Sequence, residues 1–231
     1  MFTRVALLLG AAIAASASPV SQVHLGLTTD VNDCDHGVVV QFASDQAYAI
    51  NVTYSVHGDD ANVRTVESAS ETYTIKHGNY SYASPNLHKA FLCDLAPATK
   101  YTYNIGGDFS KTFLTPNAVG SDKTPTMFVV VGDPGDTSDT GLNIVNMLKP
   151  YKGLDPQALF IAGDYSYANG DGAVWDEWYN FNQETFSQLP QLGINGNHET
   201  ITFHGHNNTT PNYQDIPADN YRDYLVRAST P

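Results

Sequence analysis

Basic side chains are scarce in these 231 residues: 11 Lys and Arg stand against 24 Asp and Glu, a net charge of −13. Such a surface argues against nucleic acid or an anionic membrane as a partner, because both need positive charge on the protein. Phosphorylated small molecules stay open, since bound cations can dominate a local field. Long apolar runs are also missing. The run from Val5 to Ala15 is too short to span a bilayer, and no later segment is long enough either. With Arg4 before it and Ala15-Ser16-Ala17 behind it, residues 1–17 have the form of a secretory signal, and a secreted, extracellular chain is expected. Cysteine occurs only twice, at Cys34 and Cys93. In a secreted chain such a pair reads as one disulfide, worth up to about 4 kcal/mol for a loop of this length; two separate buried thiols are the alternative. Internal repeats and low-complexity tracts are absent.

Four sequons, at Asn51, Asn79, Asn207 and Asn208, fit a secreted glycoprotein. From about residue 20 to residue 115 the pattern is β. Ile50, Val52, Tyr54 and Val56 alternate with Asn51, Thr53 and Ser55, a period of two with the first sequon on the polar face. Short runs at 23–28, 37–42, 71–76, 89–93, 100–105 and 111–114 complete seven expected strands, separated by Gly, Asp, Asn and Pro. A β-sandwich follows. Leu95-Ala96-Pro97-Ala98-Thr99-Lys100-Tyr101 resembles the tyrosine corner of fibronectin type III sandwiches, in which the phenol bonds to nearby backbone. His36, His57, His77 and His88 are scattered and read as surface or loop histidines, so this region is expected to support rather than catalyse. Residues 116–125 show no periodicity and read as a linker.

From residue 126 to residue 231 the composition becomes α/β. Three apolar runs, Met127 to Val131, Ala158 to Ala162 and Leu192 to Ile194, each end near glycine followed by a polar side chain that can bind metal. Between them, Leu142, Val145 and Leu148 share one helical face, and a second helix-like stretch runs from Trp175 to Phe186. Trp175, Trp178 and Tyr179 read as core packing against the sheet. Strand–helix alternation implies a parallel sheet, and ligands collect outside the carboxyl ends of its strands. Asp133, Asp164 and Asn197 are therefore expected on one rim, an oxygen-rich set suited to hard cations. Beyond Thr200 the pattern fades into a long loop, and Tyr221 to Pro231 reads as a strand or short helix.

The series Asp133-Pro134-Gly135, Gly163-Asp164-Tyr165-Ser166-Tyr167 and Gly196-Asn197-His198-Glu199 resembles the calcineurin-like metallophosphoesterases. The tyrosine three residues after Asp164 is similar to that of the purple acid phosphatases, as are Trp175-Asp176-Glu177-Trp178 and the sandwich ahead of the catalytic domain. This resemblance implies a binuclear centre, Fe(III) plus a divalent Zn, Mn or Fe. In it Asp133 and Tyr167 hold the ferric ion, Asp164 bridges, and Asn197 holds the divalent ion. His198 would contact phosphate and protonate the leaving group, with Glu199 in a supporting place. Hydrolysis of phosphate monoesters in acid is the reaction implied, with a small-molecule phosphomonoester as substrate.

The family pattern continues to a further histidine and then to Gly-His-x-His, neither of which precedes Pro231. The expectation is an incomplete catalytic domain with four of seven ligands and an apolar sheet face left partly uncovered. His204 and His206 fall too soon after Asn197 and read as loop histidines. Two other readings remain at this point: a metallophosphoesterase acting on diesters or nucleotides, which Tyr167 argues against, and a non-catalytic secreted glycoprotein.

Overall fold

A computed structural model describes residues 20–28, 34–77, 79–120, 125–135, 145–146, 148–199 and 227. In chain order its strands begin with β1 (Ser21–Leu27), β2 (Val38–Ser44), β3 (Asn51–Val56), β4 (Arg64–Glu67), β5 (Ala69–Glu71) and β6 (Thr74–His77). Next come β7 (Tyr80–Ala83), β8 (Asn86–Leu92), β9 (Lys100–Ile105) and β10 (Phe109–Leu114). Last are β11 (Met127–Val131), β12 (Pro156–Ala162) and β13 (Gln191–Ile194), with helix α1 (Gly172–Phe186) between the final two.

The expected sandwich is present. β10-β9-β3-β4 form one sheet, which faces β1-β2-β8-β5 across a core of Val23, Leu25, Val40, Phe42, Val52, Tyr54, Leu92, Tyr103 and Phe113. The alternation read in β3 is real: Val52 and Tyr54 are buried while Asn51 faces solvent. The backbone N–H of Ala96 donates to the Tyr101 hydroxyl at 3.0 Å, the bond expected of the tyrosine corner. Cys34 and Cys93 are joined by a disulfide, as anticipated, across 59 positions of sequence.

Several features escaped the sequence reading. β4 and β5 were missed because almost every side chain in them is exposed, leaving no apolar rhythm to detect. Among the described residues β7 pairs with β6 alone, as a two-stranded hairpin. His88 is not a surface histidine. It lies buried on β8 between the hydroxyls of Ser44 and Ser68, stacked on Phe42, because those hydroxyls satisfy both ring nitrogens. His36 and His57 are exposed, as expected.

After the expected linker at 116–125 the chain adds strands to the β1-β2-β8-β5 sheet. β11, β12 and β13 run parallel, and β13 pairs with β1 through Gly26 and Gln191, giving a seven-stranded order β11-β12-β13-β1-β2-β8-β5. Helix α1 starts where the Asp171 side chain caps the Ala173 N–H, and it packs on one face of these strands. There Trp175, Trp178 and Tyr179, read as core from their spacing, form a cluster with Phe186, Leu159 and Ile161. On the opposite face Phe128, Val130 and Ile194 are 54%, 68% and 64% exposed. The helix expected around 142–148 lies largely outside the described residues, as do the secretory signal, His204, His206, Asn207 and Asn208. No helix among the described residues is long and apolar enough to cross a membrane.

One buried ion joins these parts. The Arg227 guanidinium, 2% exposed, donates to Asp176 of α1 at 2.7 Å, to Gln22 of β1 at 2.7 Å and to Tyr73 at 2.8 Å, and also reaches the Tyr82 hydroxyl of the β6–β7 hairpin. Beside it His24 stacks on Tyr179, with its ring nitrogens 2.7 and 2.9 Å from the carbonyls of Gln22 and Arg227. Burial pulls the His24 ring down to about 4, overcoming the two carbonyls that favour its charged form.

Candidate metal centre

Three parallel strands end together, and the loops that follow them are stitched to one another. The Asp133 N–H donates to the Gly163 carbonyl at 3.2 Å, and the Gly135 N–H to that of Tyr165 at 2.9 Å. The Trp178 indole of α1 donates to the Gly135 carbonyl at 2.9 Å, fixing the first loop from below. The second and third loops meet back to back: a Cβ at Gly163 would stand 2.8 Å from the Gly196 Cα, and one at Gly196 would run into the Asp164 carboxylate. Glycine is required at both places by this close approach.

Glu199 holds the junction. Its buried carboxylate accepts from the N–H groups of Asp164 at 2.8 Å, Tyr165 at 2.8 Å and Gly196 at 2.7 Å. Burial pushes this carboxyl above its ordinary value, against the pull of those three donors. Glu199, expected in a supporting place, bonds the second and third loops to each other.

The predicted ligands occupy one rim. The Tyr167 hydroxyl donates to Asp133 Oδ1 at 3.0 Å. Asp164 Oδ1 accepts from the His198 N–H at 2.9 Å, which ties the third loop to the proposed bridging carboxylate. The His198 ring lies 4.2 Å from that of Tyr167, and its Nδ1 is 2.6 Å from Asn169 Oδ1. Asn197, half-buried, precedes His198 on the same loop. Asn169 escaped the sequence reading, because Asn169-Gly170 looks like ordinary turn chemistry.

Backbone strain gathers here. Of the nine described non-glycine residues with positive φ, four are Asp133, Asp164, Tyr167 and Asn169, at +52° to +56°. A left-handed tyrosine costs roughly 1–2 kcal/mol. Such strain persists where a site has use for the geometry it creates.

The donor set fits hard cations. Two carboxylates, a phenol and an amide offer oxygen throughout. Hydrogen bonds to Asp133, Asp164 and Glu199 among the described residues come from backbone N–H groups and the Tyr167 hydroxyl, and none from Lys or Arg. The negative charge is therefore uncompensated by side chains described here. Without a cation, partial burial and then the neighbouring Asp133 push the Tyr167 phenol up to about 12, so it stays protonated. Among the described residues no three His, Cys, Asp and Glu side chains converge.

The chain is similar to known proteins in sequence and in fold. The chain is 34% identical over 155 residues to purple acid phosphatase 5 of Arabidopsis thaliana, covering 64% of this chain and 37% of that protein. It is 30% identical over 186 residues to the Fe(3+)-Zn(2+) purple acid phosphatase 12 of the same plant, covering 77% and 37%. The purple acid phosphatase from yellow lupin (Lupinus luteus) seeds shares the fold, with a TM-score of 0.69 at 18% identity over 93% of this chain and 41% of that one. No protein-family model matches the chain. By these relatives the chain belongs to the purple acid phosphatase family. It spans less than two fifths of the length of the two curated relatives.

Proposed function

We propose that the chain carries the first part of the active site of a secreted acid phosphatase that hydrolyses phosphate monoesters. What supports this most strongly is that Asp133, Asp164 and Asn197 follow the ends of three adjacent parallel strands, with Tyr167 bonded to Asp133 and Glu199 closing the second and third loops on each other. Asp133 and Tyr167 would hold a ferric ion, Asp164 would bridge, and Asn197 would hold a divalent zinc, manganese or iron. Bound there, the pair would activate water and offset the charge of the phosphate oxygens.

The remaining steps belong to the chain itself. Asp164 fixes the His198 backbone through the His198 N–H, setting the imidazole at the rim beside Tyr167. His198 would contact the phosphate and transfer a proton to the leaving oxygen as its bond to phosphorus breaks. The buried clamp keeps two loops from drifting as charge shifts, so no reorganisation is needed during the step. Asn51 and Asn79, both exposed, would carry glycans in such a secreted protein.

Hydrolysis of a phosphomonoester at acid pH by the metal-loaded protein tests the reading. If the four ligands present sustain turnover, Asp164→Ala should lower it by at least about 100-fold. Equal turnover in both would overturn the assignment, and no turnover from folded wild-type protein would favour the non-catalytic glycoprotein.

A further inference from the structure

The His198 ring has two nitrogens, and only one can face a substrate while the other is held. Nδ1 is the held one, 2.6 Å from Asn169 Oδ1. Asn169 is well placed to hold it. Its φ of +52° and that of Gly170, +87°, make a tight turn in which asparagine tolerates the left-handed region. One end of the turn is buried Ala168, whose carbonyl accepts from the Asp171 N–H at 2.9 Å. The other end is Asp171, the cap of α1, pinned by Tyr80: the phenol donates to Asp171 Oδ1 at 2.9 Å and accepts from the Gly172 N–H at 2.8 Å. The turn is thereby referenced both to the helix and to the β6–β7 hairpin. His198 is fixed independently, by its backbone bond to Asp164 and by the Tyr167 ring.

We propose that Asn169 is a positioning residue for His198. Its side-chain oxygen accepts from Nδ1–H and sets the tautomer in which Nε2 is the nitrogen presented to a phosphate ester. Which nitrogen of a histidine is exposed for proton exchange is decided by the bond its other nitrogen makes. An amide oxygen does this without adding a charge beside Asp133, Asp164 and Glu199, where a further carboxylate would be repelled. The role of Nε2 rests on the phosphatase reading above, whereas the tautomer does not depend on it.

The test is NMR of 15N-histidine-labelled, metal-free protein at a pH where the ring is neutral, reading the two His198 nitrogens through their ring protons. Wild-type protein should show Nδ1 protonated and Nε2 bare. Asn169→Gly, which accepts the positive φ without strain, should shift the population toward the Nε2–H tautomer, and Asn169→Asp, an acceptor only, should restore Nδ1–H. Unchanged signals from the Trp175–Phe186 core would show that the variants fold. Wild-type protein with Nε2–H, or Asn169→Gly with an unchanged tautomer, would overturn the proposal. Where turnover is measured, Asn169→Gly should lower kcat roughly 10-fold with KM little changed, and Asn169→Asp should recover most of it. A protein without phosphatase activity but with the expected tautomers would defeat only the phosphatase reading.

Discussion

Arg227→Ala is expected to lower the folding stability by about 3–5 kcal/mol, as a fall in the urea midpoint with an unchanged slope. The guanidinium ties together β1 through Gln22, α1 through Asp176 and the hairpin region through Tyr73 and Tyr82. Removing it leaves a void among these groups and an unpaired carboxylate at Asp176. That carboxylate is 25% exposed and keeps donors from Gln22 and Tyr82, which places the loss toward the lower figure. Arg227→Lys should recover little, since an ammonium cannot reproduce the fork that reaches four partners. A loss below about 1 kcal/mol, the range of exposed ion pairs, would show that the network is not a buried junction.

Glu199→Ala should cost about 3 kcal/mol and loosen the rim. Three backbone donors, on Asp164, Tyr165 and Gly196, lose their acceptor together. Each unsatisfied buried donor costs about 1–3 kcal/mol, and water entering the gap recovers part of the sum. Glu199→Gln keeps one oxygen but turns an amide toward N–H groups, so its loss should be intermediate. Hydrogen exchange gives the local readout: those three amides should lose protection while β1 and β2 keep theirs. Retained protection in Glu199→Ala would contradict the clamp.

The legible part of this protein was the part written locally. Val131-Gly132-Asp133, Gly163-Asp164 and Gly196-Asn197-His198 each combine strand end, turn and candidate ligand within a few positions, so their place after three parallel strands could be read from the sequence. Val52 and Tyr54 exposed the sandwich in the same way. What escaped depends on distant partners. Arg227 sits in a segment without periodicity, and its partners lie 51 to 205 positions away, so nothing nearby marks it as buried. His88 gave no sign of burial because the hydroxyls that satisfy it are 20 and 44 positions distant. Asn169 was hidden because a turn former and a histidine-orienting group are the same residue type. The Glu199 clamp acts 34 and 35 positions back, on N–H groups that have no sequence signature.

The central claim is that Tyr167, with Asp133 and Asp164, holds a ferric ion. Titration of Fe(III) into metal-free protein, followed by visible absorbance and by iron retained after gel filtration, tests it directly. The account predicts retained iron with a phenolate-to-iron absorbance band in wild-type protein, and loss of that band in Tyr167→Phe. A band unchanged in Tyr167→Phe, or wild-type protein that retains no iron, would contradict it.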